Sequence, residues 1–254
     1  MIFFVVCDMM RNIKLTVQYN GSNYHGFQSQ INAAAIQDIL EEAIGRLTGQ
    51  RPRVSGCGRT DAGVHAKAFV LNFFSETAIP AEKLPYALNT HLPEDIICFQ
   101  AEDVPPDFDA KASAKKKRYT YYIQNSSFPD VFQQGRAWHY KYPLDLAAMQ
   151  KAATAFLGTH DFIGFASAGF TVKTTIRTIY SLDVEKNGDL ISINITGNGF
   201  LYNMVRIIAG TLVFVGSGKI DPADMPDIIL SGNREMAGIT APAHGLFLSE
   251  VYYE

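Results

Sequence analysis

The sequence has little cysteine, and its cysteines do not specify a covalent or metal framework. Three occur in 254 residues, at Cys7, Cys57 and Cys98, and no two are spaced as C-x-x-C. Such an odd, dispersed set specifies neither a disulfide framework nor a zinc site. Few scattered thiols are typical of a protein that works in a reducing cytoplasm.

The chain also lacks a long apolar run. Residues 2–7 are apolar, but no basic region precedes them and Asp8 follows at once, unlike a secretory leader. The most apolar stretch, residues 190–218, is interrupted by Asn, Gly and Ser and carries Arg206 near its centre. We therefore expect no membrane segment. We expect residues 1–12 to be an N-terminal lead, and the start codon is left open between three methionines, Met1, Met9 and Met10.

An excess of positive charge is missing as well. Lys and Arg total 22 against 25 Asp and Glu, so the formal net charge is -3. Taken over the whole chain, this balance argues mildly against a polyanionic partner such as nucleic acid. The 47% hydrophobic and 19% charged positions describe an ordinary globular protein, long enough for one large domain or two small ones.

Hydrophobic periodicity predicts alternating strands and helices over residues 13–107. Apolar and polar residues alternate from Ile13 to Tyr19, which predicts a strand with one buried face. Apolar residues recur at three and four positions over 36–47, the pattern of an amphipathic helix, and Gly49 ends it. Apolar runs and a proline-initiated segment predict two further strands, 68–74 and 96–100, with a helix over 80–89 between them.

A similar succession of elements follows the proline-containing seam at residues 104–107. It comprises a strand over 117–124, a helix that ends at Gly158, and a helix from Leu201 to about Val215. Residues 175–185 and 190–196 flank an Asn-Gly turn and predict a hairpin. We therefore predict an α+β fold with two halves of related plan, each a mainly antiparallel sheet covered by helices. The expected boundaries are 13–107 and 108–254.

Small and reactive residues are densest at residues 56–66, which include Arg59, Thr60, Asp61 and His65. Glycine and alanine allow a backbone to approach a ligand closely. The segment lacks the lysine followed by serine or threonine that ends a phosphate-binding loop, and it lacks the glycine spacing of a dinucleotide fingerprint. Taken alone, a T-D-A-G string is more often a connecting loop in which the aspartate caps a turn.

Arg206 makes a functional role for Asp61 more plausible. It is the only charged residue of the helical run 201–215 and has apolar neighbours on both sides. A guanidinium in such surroundings needs an anionic partner, and Asp61 is an obvious candidate. Pairing would keep Asp61 ionised and oriented, as a nucleophile or general base requires. A structural salt bridge between the halves is the alternative interpretation.

A third feature joins positive charge to aromatic rings. Five of the eight residues from Lys111 to Arg118 are cationic, and three tyrosines follow within 119–122. Cations for phosphates beside rings for unstacked bases suit recognition of single-stranded or looped RNA. A solvated charge run before an ordinary strand is the alternative. The six histidines are scattered without metal-ligand spacing, so no metal site is expected.

From Ile13 onward the chain resembles the TruA-type tRNA pseudouridine synthases, the tRNA pseudouridine 38–40 synthase family. The aspartate-containing block is the most specific. The resemblance rests on seven blocks in order: YNG with GFQSQ at 19–30, GRTDAGVHA at 58–66, KRYTY at 117–121, GTHDF at 158–162, RTI at 177–179, GNGFLYNMVR at 197–206 and APAHGL at 241–246.

The resemblance implies isomerisation of uridine to pseudouridine in the tRNA anticodon stem-loop, without metal or cofactor. It implies the pseudouridine synthase fold with a basic active-site cleft between the halves, and a homodimer. Asp61 matches the catalytic aspartate, Tyr119 the tyrosine that stacks on the base, and Arg206 the arginine that pairs with the aspartate. Arg59 matches an arginine that holds the stem open or contacts phosphate. Backbone contacts would come from Lys117 and Arg118.

Two rival functions come from other classes. A non-catalytic RNA-binding protein of the same fold would keep the basic and aromatic surface, but the joint presence of Asp61, Arg206 and Tyr119 argues against it. A carboxylate-dependent nucleoside or glycoside hydrolase would need a second acid, and none is evident near Asp61. The chain departs from the commoner family pattern at four positions, Phe27, Asp109, Phe214 and Ser217, and none of them touches the proposed chemistry.

Overall fold

The computed structural model describes residues 10–169 and 172–254. Cys7, the apolar residues 2–7 and most of the expected lead therefore lie outside the described residues. The strands are β1 (Arg11–Tyr19), β2 (Ser55–Gly56), β3 (His65–Ser75), β4 (Ile96–Val104), β5 (Lys116–Gln124), β6 (Trp138–His139), β7 (Gly158–Asp161), β8 (Ile176–Asn187), β9 (Leu190–Gly197) and β10 (Leu246–Tyr252). The α-helices are α1 (Ile36–Thr48), α2 (Leu84–Leu88), α3 (Leu146–Ala153), α4 (Met204–Gly216) and α5 (Met225–Ser231).

Local sequence signals explain the elements that were predicted best. Helix α1 buries its apolar stripe and ends at Gly49, whose φ of 80° lies in the left-handed region that favours glycine. The hairpin of β8 and β9 turns tightly at Gly188, with φ 58°, and pairs Asn187 with Leu190. Both predictions are confirmed to within a few residues.

Other element boundaries differ from the prediction. Strand β1 begins at Arg11, two residues before the expected start, because Arg11 and Asn12 pair with Ser75 and Phe74. The helix expected over 80–89 is divided into a 3-10 turn and the short α2. Helix α4 starts at Met204 and not at Leu201, because Asn203 adopts a left-handed conformation, φ 61°, immediately before it.

All strands join one sheet, in which the two predicted halves meet edge to edge. Its main order is β4-β1-β3-β10-β5-β9-β8-β7, while β2 pairs with β3 and β6 with β5. Most pairs are antiparallel, as predicted, but β10 runs parallel to β3. That central pairing is only two residues long, Phe247 with His65 and Leu248 with Ala66. Further along, β3 pairs instead with β2 at Ser55 and Gly56. The pairing of β3 with β10 near the centre of the sheet therefore ends after two residues.

Helices cover the sheet over two hydrophobic cores. One core lies around α1, β1 and β3, and the other around α4, with α3, α5, β5, β8 and β9. Leu248 of the C-terminal strand belongs to the first core, while Tyr119 packs against both. The boundary near residue 107 stays a prediction. Among the described residues, no helix combines the length and apolarity needed to span a bilayer.

Candidate active site

Asp61 begins a tight turn immediately before β3. The N–H of Val64 donates to the carbonyl oxygen of Asp61 over 3.1 Å. Gly63 has φ 76°, which a residue with a Cβ adopts only with strain. The T-D-A-G string thus forms a turn, and that turn presents the Asp61 carboxylate, with about a third of its side-chain surface exposed (32%).

Segment 19–30 packs against this turn and holds it in place. A Cβ on Gly26 would collide with the carbonyl oxygen of Thr60, and Phe27 N–H donates to that same oxygen over 3.1 Å. The buried hydroxyls of Tyr19 and Thr60 lie 2.8 Å apart in a hydrogen bond. The first two blocks of the resemblance therefore form one rigid support for Asp61.

Arg206 reaches Asp61 across the junction of the halves. Its Nη1 lies 3.9 Å from Asp61 Oδ2. The guanidinium is fixed by two short hydrogen bonds, from Nε to the Ala241 carbonyl oxygen and from Nη1 to Asn203 Oδ1, both 2.7 Å. The predicted pairing exists, but as a long contact between groups that the surrounding backbone positions.

Burial has the larger effect on the ionisation of Asp61. It raises the pKa of the carboxyl above its ordinary value, while the Arg206 charge lowers it by a smaller amount. The expectation that pairing alone favours the ionised form is therefore incomplete. A carboxylate that is partly desolvated is a stronger nucleophile and base than a fully hydrated one.

Tyr119 and Lys117 point from β5 into the same cleft. The Tyr119 ring packs edge-on against Phe200, with centroids 5.2 Å apart. Burial, reinforced by the negative charge of Asp61, raises the pKa of the phenol well above its ordinary value, so it stays protonated near neutral pH. Its hydroxyl makes no hydrogen bond to another described residue, which leaves it available to a ligand.

Lys117 lies over the small residues of the aspartate segment. Its Nζ is 3.0 Å from the position that a Cβ on Gly58 would occupy, so a side chain there would displace the amine. Burial lowers the pKa of Lys117, and the described residues offer no carboxylate within ion-pair distance. Burial also raises the pKa of the adjacent Cys57 thiol to about 11, so it is not a thiolate at neutral pH.

The structure does not bring Arg118 to the cleft beside Lys117, and its contact with the substrate stays a prediction. Successive side chains of a strand point to opposite faces. Arg118 accordingly lies over the Tyr252 ring, donates to Thr196 Oγ1 over 3.3 Å and approaches Glu250 to 3.7 Å. Lys116, on the same face as Arg118, lies over Tyr180.

Arg59 stands exposed at the rim of the cleft. The cleft has a volume of about 1050 Å³. Its walls bring residues of both halves together, including four cations, three carboxylates and several rings: Arg53, Arg59, Lys111, Lys117, Asp61, Asp107, Asp109, Phe27, Phe108, Tyr119, Phe200 and Tyr202. Space of this size, lined by rings and cations, is large enough for a ligand the size of a nucleotide.

Two supporting residues and one cleft residue were not predicted to have these roles. Asn203 holds Arg206 and donates to Ser167 Oγ over 2.9 Å, and Phe200 supports the Tyr119 ring. Both lie in the GNGFLYNMVR block, and their place in that block was the sequence signal that could have indicated a role in the site. Asp109 turns inward, where hydrogen bonds from Ser55 Oγ and the following backbone lower its pKa. In the described part of the chain, no three His, Cys, Asp or Glu side chains converge as a metal site would require.

A family model described as tRNA pseudouridine synthase matches residues 15–111 and 152–254, which include Asp61 and Arg206 but not Lys117 or Tyr119. The chain therefore belongs to the tRNA pseudouridine synthase family, isomerases of the TruA type that need no cofactor.

Curated relatives match almost the full length. The chain is 51% identical over 244 residues to tRNA pseudouridine synthase A of Thermoanaerobacter sp. (strain X514). The matched region covers 96% of this chain and 100% of the relative. It is 50% identical to the protein of that name from Acetivibrio thermocellus, with the same coverage. The Bacillus subtilis (strain 168) protein is 45% identical over 244 residues, covering 95% and 99%.

Proposed function

We propose that this enzyme converts uridines at positions 38–40 of the tRNA anticodon stem-loop and that Asp61 is its catalytic carboxylate. The observation that carries the proposal is that Asp61 and Tyr119 line one cleft and that Arg206, from a third segment, reaches the Asp61 carboxylate. A merely structural salt bridge would require neither the exposed part of the Asp61 side chain nor the free hydroxyl of Tyr119.

The reaction requires one bond to break and another to form within a held base. The N1–C1′ bond of the target uridine breaks, the uracil rotates, and C5 bonds to C1′; the proton lost from C5 is balanced by the one gained at N1. Asp61 starts this sequence either by covalent attack on the sugar or base, or by removing a sugar proton. The partly buried carboxylate suits each of these steps.

The surrounding residues stabilise a nucleotide that has left its stack. Extrusion costs on the order of a few kcal/mol, which contacts in the cleft must offset. We assign stacking on the base to Tyr119, contact with phosphate or the opened stem to Arg59, and contact with the nucleic-acid backbone to Lys117. Arg206 orients Asp61. Arg118 is left out of this set because it faces the other side of the sheet.

The Asp61→Asn variant tests the assignment. We expect release of tritium from C5-labelled uridine in an unmodified anticodon stem-loop to fall about 10⁴-fold or more, while the dissociation constant for the RNA changes little. The matched control is Asp227→Asn, the same substitution at an exposed carboxylate of α5. Release by Asp61→Asn at the rate of the control would exclude Asp61 as the catalytic group. If the wild type binds the RNA but releases no tritium, the rival function of a non-catalytic RNA-binding protein is favoured.

The family resemblance further supports a homodimer that works in the cytoplasm. Phe128, Val131 and Phe132 are each more than 70% exposed and supply an apolar surface that a second copy would cover. A mass in solution of twice the 28.1 kDa of one chain is expected. A single-chain mass at working concentration would contradict the dimer without affecting the catalytic proposal.

A further inference from the structure

His65 occupies the one place where the described strands of the two halves pair with each other. It is only 2% exposed and begins β3. In the two-residue pairing of β3 with β10, His65 lies opposite Phe247, and their rings stack with centroids 4.5 Å apart and planes 22° apart. The proposed chemistry does not use this side chain.

Both ring nitrogens of His65 are hydrogen-bonded to backbone. The N–H of Gly21 donates to Nδ1 over 3.1 Å. Because an N–H can only donate, Nδ1 carries no proton, and the proton on Nε2 is donated to the His244 carbonyl oxygen over 3.1 Å. Burial lowers the pKa of His65 and outweighs the hydrogen bonds to the backbone of His244 and Gly135, which raise it, so the ring stays neutral near pH 7.

One hydrogen bond of His65 leads to Asp61. Gly21 lies so close to the Val64 carbonyl that a Cβ would collide with it. The N–H of that same Val64 closes the Asp61 turn. Gly21, Val64 and Asp61 therefore form one packed unit, and Nδ1 of His65 anchors it.

The other hydrogen bond leads to Arg206. His244 belongs to segment 241–245, which contacts the Asp61 turn. The Cβ of Ala243 lies 3.4 Å from the position that a Cβ on Gly63 would occupy. At the start of that segment, Ala241 accepts a hydrogen bond from Arg206 Nε over 2.7 Å and donates its N–H to the Arg206 carbonyl over 3.1 Å. Nε2 of His65 thus holds the segment that holds the guanidinium.

We infer that His65 is a positioning residue that sets the distance between the Asp61 carboxylate and the Arg206 guanidinium by joining the two backbone segments that carry them. The inference rests on the proposed role of Asp61. A flat ring with an acceptor on one side and a donor on the other satisfies both partners at once, whereas an aliphatic side chain of similar size would fill the space and leave both unpaired.

Two near-isosteric variants separate the two hydrogen bonds. Asparagine places an amide oxygen near the position of Nδ1 and can still accept from Gly21, but it is too short to reach His244. Glutamine places an amide nitrogen near Nε2 and can still donate to His244, but it leaves Gly21 without its acceptor. The matched control is His139→Gln, at a histidine whose Nε2 also bonds a backbone carbonyl, that of Ser126, away from the cleft.

Single-turnover rates on a saturating stem-loop are the first readout. We expect His65→Asn and His65→Gln each to lose about tenfold or more, since small misplacements of catalytic groups have effects of this size. The RNA dissociation constant should change less than about threefold, because His65 lies outside the binding groups proposed above. The control should stay within about twofold of the wild type.

The pH profile distinguishes positioning from simple loss of stability. Arg206 lowers the pKa of Asp61, so a guanidinium that withdraws should move the acid limb of the rate profile to higher pH. Folded His65 variants with wild-type rate and acid limb would overturn the inference. If neither variant folds, Phe247→Leu decides, because it loosens the His65 ring without removing either hydrogen bond. A several-fold lower rate with the same shift of the acid limb supports the inference. An unchanged rate profile overturns it. An inactive wild type would instead contradict the proposed function.

Discussion

At the residue scale, the site depends on side chains whose surroundings change their ordinary chemistry. Burial raises the pKa of Asp61 and of Tyr119 and lowers that of Lys117, so each neutral form is favoured relative to the free amino acid. Identity and rough proximity of Asp61, Arg206 and Tyr119 were predictable from the sequence. These shifts were not, because they follow from which neighbours exclude water, and that is decided by tertiary packing.

Tyr119→Phe tests whether the tyrosine acts through its hydroxyl as well as its ring. Since the hydroxyl has no described partner and stands near Asp61, we expect the single-turnover rate to fall about 10- to 100-fold, as for a lost hydrogen bond to a charged or reacting group. RNA affinity should be retained because the ring is. Tyr180→Phe, at a half-exposed tyrosine on the other face of the sheet, is the control. Near-normal turnover by Tyr119→Phe would restrict the residue to stacking.

At the element scale, the best-predicted features were local and the missed ones were not. Helix α1 and the β8–β9 hairpin follow from spacing and turn residues within a dozen positions. The pairing of β10 with β3 and β5 joins residues more than 100 positions apart, and no local pattern specifies it. The orientation of Arg118 was predictable in principle, because a strand that points Tyr119 into the cleft must point its neighbour away.

Gly63→Ala tests whether the geometry of the Asp61 turn controls catalysis. A Cβ at φ 76° costs about 1 kcal/mol, so the melting temperature should fall by about 2 to 4 °C. Strain relief would move the turn that carries Asp61, and we expect about a tenfold lower single-turnover rate. Gly49→Ala is matched in backbone angle, φ 80°, and has no neighbour within 4 Å of the added Cβ. It should lose similar stability and keep its rate; equal rates for the two variants would contradict the argument.

At the scale of the whole molecule, the net charge of -3 is a poor guide to the partner. Four cations line the cleft, namely Arg53, Arg59, Lys111 and Lys117. Acids such as Glu42 lie exposed on α1. Binding responds to local charge and shape, whereas the whole-chain sum describes solubility. The α+β class was predicted correctly, but the union of both halves in one sheet depends on the long-range register of β10.

The central claim, that this cleft isomerises anticodon-stem uridines through Asp61, is tested most directly by mapping pseudouridine at single-nucleotide resolution. Unmodified tRNA transcripts with uridines at several positions would be incubated with the wild type and, as a blank, with Asp61→Asn. The account predicts pseudouridine at positions 38–40 with the wild type and none with the variant. Conversion elsewhere but not at 38–40, or equal conversion by the variant, would contradict it.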